Sequence, residues 1–111
     1  MSEYDLGTVI ARREFDCGES KVFLEIGQPY PLDEGKTSFC PFRITGLGNG
    51  RVRRAGGVDS VQALYCTMQK AAADLYCSDE AREKRLTLDG RRNLMLPVLD
   101  AIADLVPKDD E

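Results

Sequence analysis

The chain contains no histidine and no tryptophan, and its four cysteines show no CxxC spacing. Without histidine, neither a Ser-His-Asp triad nor a Cys-His pair can be assembled from its own residues. Zinc sites draw on closely spaced cysteine and histidine, so a structural zinc is not expected, nor any other metal or cofactor. No apolar run approaches the roughly 20 residues that cross a bilayer. The opening "MSEYDLGTVI" also lacks the basic and apolar regions of a secretory signal. A cytoplasmic protein is the resulting expectation, with its thiols free and mostly buried. Cys66 and Cys77, if they share one helix, stand about 16 Å apart along its axis. A disulfide needs Cα atoms within about 7 Å.

What is present is ordinary in amount and uneven in arrangement. The 111 residues suit one domain, and 42% hydrophobic with 31% charged residues indicates a folded chain with its own core. The net charge of −4 argues against a general nucleic-acid binder. Residues 1–35 hold eight acids and three bases, residues 36–58 five bases and no acid, and residues 59–111 eleven acids and seven bases. One basic block thus lies between two acidic ones.

Alternation in "GTVIARREFDC" puts Val9, Ala11, Arg13 and Phe15 on one side of a strand, and Ile10, Arg12, Glu14 and Asp16 on the other. "CGES" is a turn, and "KVFLEIG" returns with Val22, Leu24 and Ile26 on a single face. The proline-bearing "QPYPLDEGKT" reads as a loop. In "SFCPFRITG", Cys40, Phe42 and Ile44 face one way, and Pro41 suggests an edge strand or a bulge beside the first hairpin.

The glycines of "GLGNG" follow GxGxG spacing and lead into the strand-like "RVRRA" before any helix begins. A dinucleotide loop needs GxGxxG between a strand and a directly following helix, and a P-loop ends in Gly-Lys-Ser/Thr. A hairpin is the reading adopted, with Asn49-Gly50 supplying positive φ.

"VDSVQALYCTMQKAAADLYC" carries the longest helical pattern, expected over about 60–77, with Asp59 as N-cap and Gln62 completing a capping box. Val58 and Ala63 occupy the staple positions. Val61, Leu64, Tyr65, Met68, Ala71, Ala72 and Leu75 form the apolar stripe, and Ala71–Ala73 suit close approach to a sheet. The set Met68, Tyr65 and Tyr76 reads as core. "SDEAREKR" has room for a helical turn. "LTLDGRRNLML" reads as a second hairpin around Asp89-Gly90, and Pro97 opens a short helix through Val98, Leu99, Ile102, Ala103, Leu105 and Val106. A frayed tail over 107–111 follows.

The pieces "IARREF", "IGQP", "CPFRI" and "RRAGGVDSVQAL", in this order over about residues 10–64, resemble a family of small bacterial proteins that carries only the label of a domain of unknown function. The resemblance implies a bacterial source and a small α+β domain, and no reaction.

The expected fold is one α+β domain over 1–111: a strand-rich meander at 6–56, the main helix at 59–77, and a hairpin with a helix at 86–106. An antiparallel sheet of four or more strands packs on the helix. Arg51, Arg53 and Arg54, with Arg43, are the candidate contact residues, facing an anion together with the helix N-terminus. The plainer reading pairs these arginines with Glu14, Asp16 or Glu25 across the sheet. Ser60 beside Asp59 reads as first-turn and cap. Asp79, Glu80, Glu83 and Asp89 read as solvated surface, and Cys40 beside Arg43 as a core thiol. A non-enzymatic protein that binds another protein is the leading functional expectation. An anion or nucleotide module on the arginine block is the alternative, and an immunity-type toxin inhibitor is a further one by analogy of size and charge. Phe23, Phe39 and the Pro41 edge offer a surface for a homodimer.

Overall fold

The structure, a computed structural model, describes residues 4–107. Strands β1 (Val9–Cys17) and β2 (Ser20–Gly27) form the first hairpin, closed by Gly18 and Glu19 between the paired Cys17 and Ser20. Gly18 alone of these two takes positive φ (61°), the glycine-first pattern of a type II′ turn. Phe15, Cys17, Val22, Leu24 and Ile26 are buried, as the period-two pattern requires.

Registers place β4 (Thr37–Thr45) inside the sheet rather than at its edge. Phe42 lies opposite Ile26 of β2 on one side and Arg53 of β5 (Arg53–Gly57) on the other. Phe39 lies opposite Tyr30 of β3 (Tyr30–Leu32) on one side and Gly56 on the other. Strands β2 and β3 therefore run end to end along one side of β4, and β5 covers the opposite side. Pro41 was expected to mark an edge or a bulge. It stands instead at the break between β2 and β3, where the neighbouring strand is interrupted by Gln28 and Pro29. The segment read as a loop at 28–37 contributes β3, whose Pro31 is tolerated because the strand is short and terminal.

The β4–β5 connection is wider than a tight hairpin, because pairing resumes only at Phe42↔Arg53. Positive φ comes from Gly46, Gly48 and Gly50 and not from Asn49. The Asn49 side chain instead accepts a bond from the Arg51 amide at 3.0 Å, an Asx turn that stabilises the loop. Arg51 consequently lies in this loop, and the strand starts two residues later than "RVRRA" suggested.

Helix α1 (Ser60–Tyr76) starts at Asp59, whose carboxylate accepts from the Gln62 amide at 2.8 Å. The Gln62 side chain reaches back to the Val58 amide, closing the expected box one residue earlier. No staple forms, since Val58 is 71% exposed. The buried face is also rotated from the predicted stripe: Ala63, Thr67, Ala71, Ala72, Leu75 and Tyr76 face the sheet, while Val61 (73% exposed) and Tyr65 (48%) point outward. The cause is the closeness of the layers. A Cβ on Gly57 of β5 would stand 2.6 Å from the Ala63 nitrogen. At that separation only small side chains fit beneath the helix, and the large ones move to its rim. Tyr65 is therefore no part of the core.

Ser78 caps the short α2 (Asp79–Arg82) by accepting from the Ala81 amide at 3.1 Å, so the extra helical turn is present. Strand β6 (Leu86–Thr87) then pairs with the end of β1. Asp89 and Gly90 both take positive φ, and Leu88 and Arg91 exchange two backbone bonds around them, a type I′ turn. The expected second hairpin ends at that single bridge. Leu94 and Leu96 belong to no strand, because side chains have taken the backbone groups of Leu94 and Met95. The Tyr76 hydroxyl accepts from the Leu94 amide at 2.7 Å, and Arg13 donates to the carbonyls of Leu94 and Met95 at 2.9 Å each. In place of an α-helix from Pro97 there is a 3₁₀ segment, Asp100–Leu105, too short to repay α-helix nucleation. Val98, Ile102 and Val106 pack against the core, whereas Leu99 and Leu105 are each 45% exposed. Of the expected tail, all but Pro107 lies outside the described residues.

The architecture is thus an antiparallel six-stranded sheet, ordered β5–β4–(β2, β3)–β1–β6, with α1 and the C-terminal segment on one face: an α+β fold. Among the described residues no helix is long and apolar enough to cross a membrane.

Candidate interface on the helix-free sheet face

Residues directly opposite one another on neighbouring strands share a face, which sorts the arginine block. Arg12, Glu25 and Arg43 form one row across β1, β2 and β4, on the face away from the helix. Arg43 donates through Nε (3.2 Å) and Nη2 (2.7 Å) to Oε1 of Glu25, and Arg12 Nε lies 3.8 Å from Oε2. The Arg12 guanidinium also sits 4.1 Å above the centre of the Phe23 ring. The cross-sheet pairing expected from sequence is realised here with Glu25.

Arg54 lies on the same face, opposite Pro41. Its guanidinium is sandwiched between the rings of Phe39 (4.0 Å) and Tyr4 (4.3 Å) and donates to the Tyr30 hydroxyl at 2.8 Å. The Tyr30 bond is the main reason its pKa is raised, so its charge is held. Tyr30 and Phe39 are themselves a cross-strand pair with ring centres 6.3 Å apart. Through Tyr4, Arg54 ties the N-terminal segment across one corner of this face.

Arg53 points the other way. It pairs with Asp74 of α1 and lies 4.9 Å over the Phe42 ring, and burial lowers its pKa. Arg51 is exposed in the glycine loop. These two line an open cleft of about 630 Å³ that also includes Asp74, Cys77, Ser78 and Glu80. The cleft lies at the C-terminal end of α1, since β5 runs antiparallel to the helix and its far end meets Ala63. Helix C-termini and carboxylates favour cations. The four candidate arginines are therefore not brought together, and none faces the helix N-terminus, where Asp59 already holds the cap.

The remaining candidates stay apart. Ser60 stands in the first turn with the Asp59 carboxylate engaged by a backbone amide. Asp79 pairs with Arg82 and Glu83 with Arg85, and Asp89 occupies a turn. Cys40 is fully buried, its thiol pKa raised by burial against a lowering contribution from Thr67. Arg43 lies on the opposite face of β4 and cannot activate it. The four thiols are free, and fewer are buried than expected: Cys17 and Cys40 are buried, Cys66 is half-buried, and Cys77 is exposed at the helix end. Among the described residues no three potential metal ligands cluster.

Of the residues on the helix-free face, Phe23, Phe39, Glu25 and Arg43 were legible in the sequence. Arg12, Tyr4 and Tyr30 were not singled out. Strand alternation held the signal for Arg12, while Tyr30 was hidden by its two flanking prolines.

A family model for a domain of unknown function, DUF6968, matches residues 11–98. The chain belongs to this family. The match runs from β1 past β6 and so takes in the C-terminal segment, beyond the motifs at 10–64 that first suggested such a family. No reaction is attached to the family by its description. No curated protein and no solved structure matches the chain.

Proposed function

We propose that this is a small non-enzymatic protein that binds another protein through the helix-free face of its sheet. One observation carries the reading: guanidinium and aromatic groups are laid side by side on a face that α1 leaves uncovered. Arg12 lies over Phe23, Glu25 is bound to Arg12 and Arg43, and Arg54 lies between Phe39 and Tyr4. Aromatic residues and arginine dominate the energetic centres of protein interfaces. Here they are preorganised, so little side-chain freedom remains to be lost on binding. On this face Arg12 and Arg43 share the carboxylate of Glu25, Lys21 pairs with Glu14 and Asp16, and Arg54 is held by rings and a hydroxyl. Four cations thus stand beside three carboxylates, although the whole chain carries −4. The partner surface therefore presents carboxylates between apolar groups. A cytoplasmic, bacterial setting belongs to the same proposal.

The test uses the full chain as bait in extracts of its source cells, beside an R12E/R43E variant whose fold is verified by circular dichroism. A protein captured by the wild type, cross-linked to this face and lost with the variant supports the reading. Equal capture by both, or cross-links confined to the helix side, overturns it.

A further inference from the structure

Strand β1 has β2 along its whole length but β6 only at its end, where Asp16 meets Thr87 and Cys17 meets Leu86. From Val9 to Glu14 its other edge has no strand beside it among the described residues. These residues are open to solvent: Val9 is 40% exposed, Ile10 49%, and the Arg12 side chain 51%. Exposed edges are usually blunted by charged side chains, proline, bulges or short length, and here Arg12, Arg13 and Glu14 supply the charge. This one has no proline, and its irregularity is confined to the Val9–Ala11 end. Six residues of unpaired edge span about 20 Å. Strand β6 already pairs antiparallel with this same edge before turning away at Asp89-Gly90.

The side chains specify what fits. Arg12 lies on the helix-free face and shares Glu25 with Arg43; Arg13 lies on the core face, bound to two carbonyls and, among the described residues, to no carboxylate. Glu14 is taken by Lys21. A strand laid alongside turns successive side chains to opposite faces, so two consecutive carboxylates would reach Arg12 and Arg13, with apolar residues beside Val9 and Ile10. A second copy of β1 would instead set four arginines against two glutamates already engaged. We infer that an extended acidic segment of the partner protein adds to the Val9–Glu14 edge as an antiparallel strand. This rests on the proposed binding role and gives it a geometry, because Arg12 belongs to both surfaces. Backbone bonds supply affinity in such additions, and the alternate side chains supply specificity.

The test adds a capped synthetic peptide, Val-Thr-Val-Glu-Glu-Val-Thr-Val, to the full chain. Amide exchange and fluorescence anisotropy are followed. Exchange over Val9–Glu14 is expected to slow by about tenfold. N-methylation of one alternate set of peptide residues should abolish binding, and of the other set should leave it, since only every second amide faces the sheet. Replacing Glu-Glu with Lys-Lys, or Arg12→Glu in the protein, should weaken binding several-fold. Absence of binding, tolerance of both methylated sets, or protection elsewhere overturns the inference. The wider reading falls only by its own test, which draws on Arg43 away from this edge and on a partner taken from the cell.

Discussion

The Thr67 hydroxyl donates to the main-chain carbonyl of Cys40 at 2.9 Å, with both residues fully buried. This bond joins the middle of α1 to the central strand at the point where small side chains let the layers close. Thr67→Val keeps the shape and removes the donor, so it should lower stability by about 1 kcal/mol. Thr67→Leu overfills the same gap and should cost about 1–3 kcal/mol through strain. Urea unfolding of the two variants separates the effects. Equal midpoints for wild type and Thr67→Val would show that the bond contributes nothing.

Local rules were legible where neighbours in sequence decide the outcome. The N-cap at Asp59, the turn at Gly18 and the alternation of Val22, Leu24 and Ile26 were all readable in the chain. Features set by distant partners were not. The face that α1 buries depends on how near Gly57 comes to Ala63, which no helical period encodes. Leu94 and Leu96 alternate like a strand, but Tyr76 and Arg13 take the backbone groups of Leu94 and Met95 first. At the candidate face, strand alternation alone could separate Arg12 from Arg13. Setting Arg12 beside Arg43 required the β1–β2–β4 register.

Tyr76→Phe tests how the C-terminal segment is held. The variant keeps the buried ring and deletes the hydroxyl that accepts from the Leu94 amide at 2.7 Å. Leu94 is fully buried, so its amide would be left without a partner, at about 1–3 kcal/mol. Amide exchange should accelerate over residues 92–99 more than in the β1–β2 hairpin. Uniform acceleration would show that the bond supports the whole fold rather than this segment.

Stability should decline in mild alkali. Cys40 and Tyr76 are both raised by burial above their ordinary values of 9.0 and 10.0. A raised acid keeps its proton longer in the folded chain than in the unfolded one. Its contribution is fully present below the unfolded pKa and is lost as pH rises through the folded value. Urea midpoints should therefore hold level below about pH 8 and fall above about pH 9. Cys40→Ala should be less stable throughout yet show a shallower fall. An unchanged slope would exclude Cys40 as a source.

Gly27→Ala probes the N-terminal segment that crosses the helix-free face. Gly27 has no unusual φ, so its requirement for glycine is purely one of space. A Cβ there would strike the Leu6 carbonyl and stand 2.8 Å from Pro41 Cγ. Pro41 is buried in the middle of the sheet and cannot yield, whereas residues 4–8 can lift away. The variant should therefore lose the Gln28–Thr8 backbone bond, seen at 2.8 Å, and release Tyr4 from Arg54. Destabilisation of about 1–3 kcal/mol is expected, as for other overpacked sites. Faster proteolysis should be confined to the residues before β1. If the segment stays protected while the β2–β4 amides exchange faster, the strain has gone into the sheet, and the N-terminal corner is fixed more firmly than Arg54 alone would hold it.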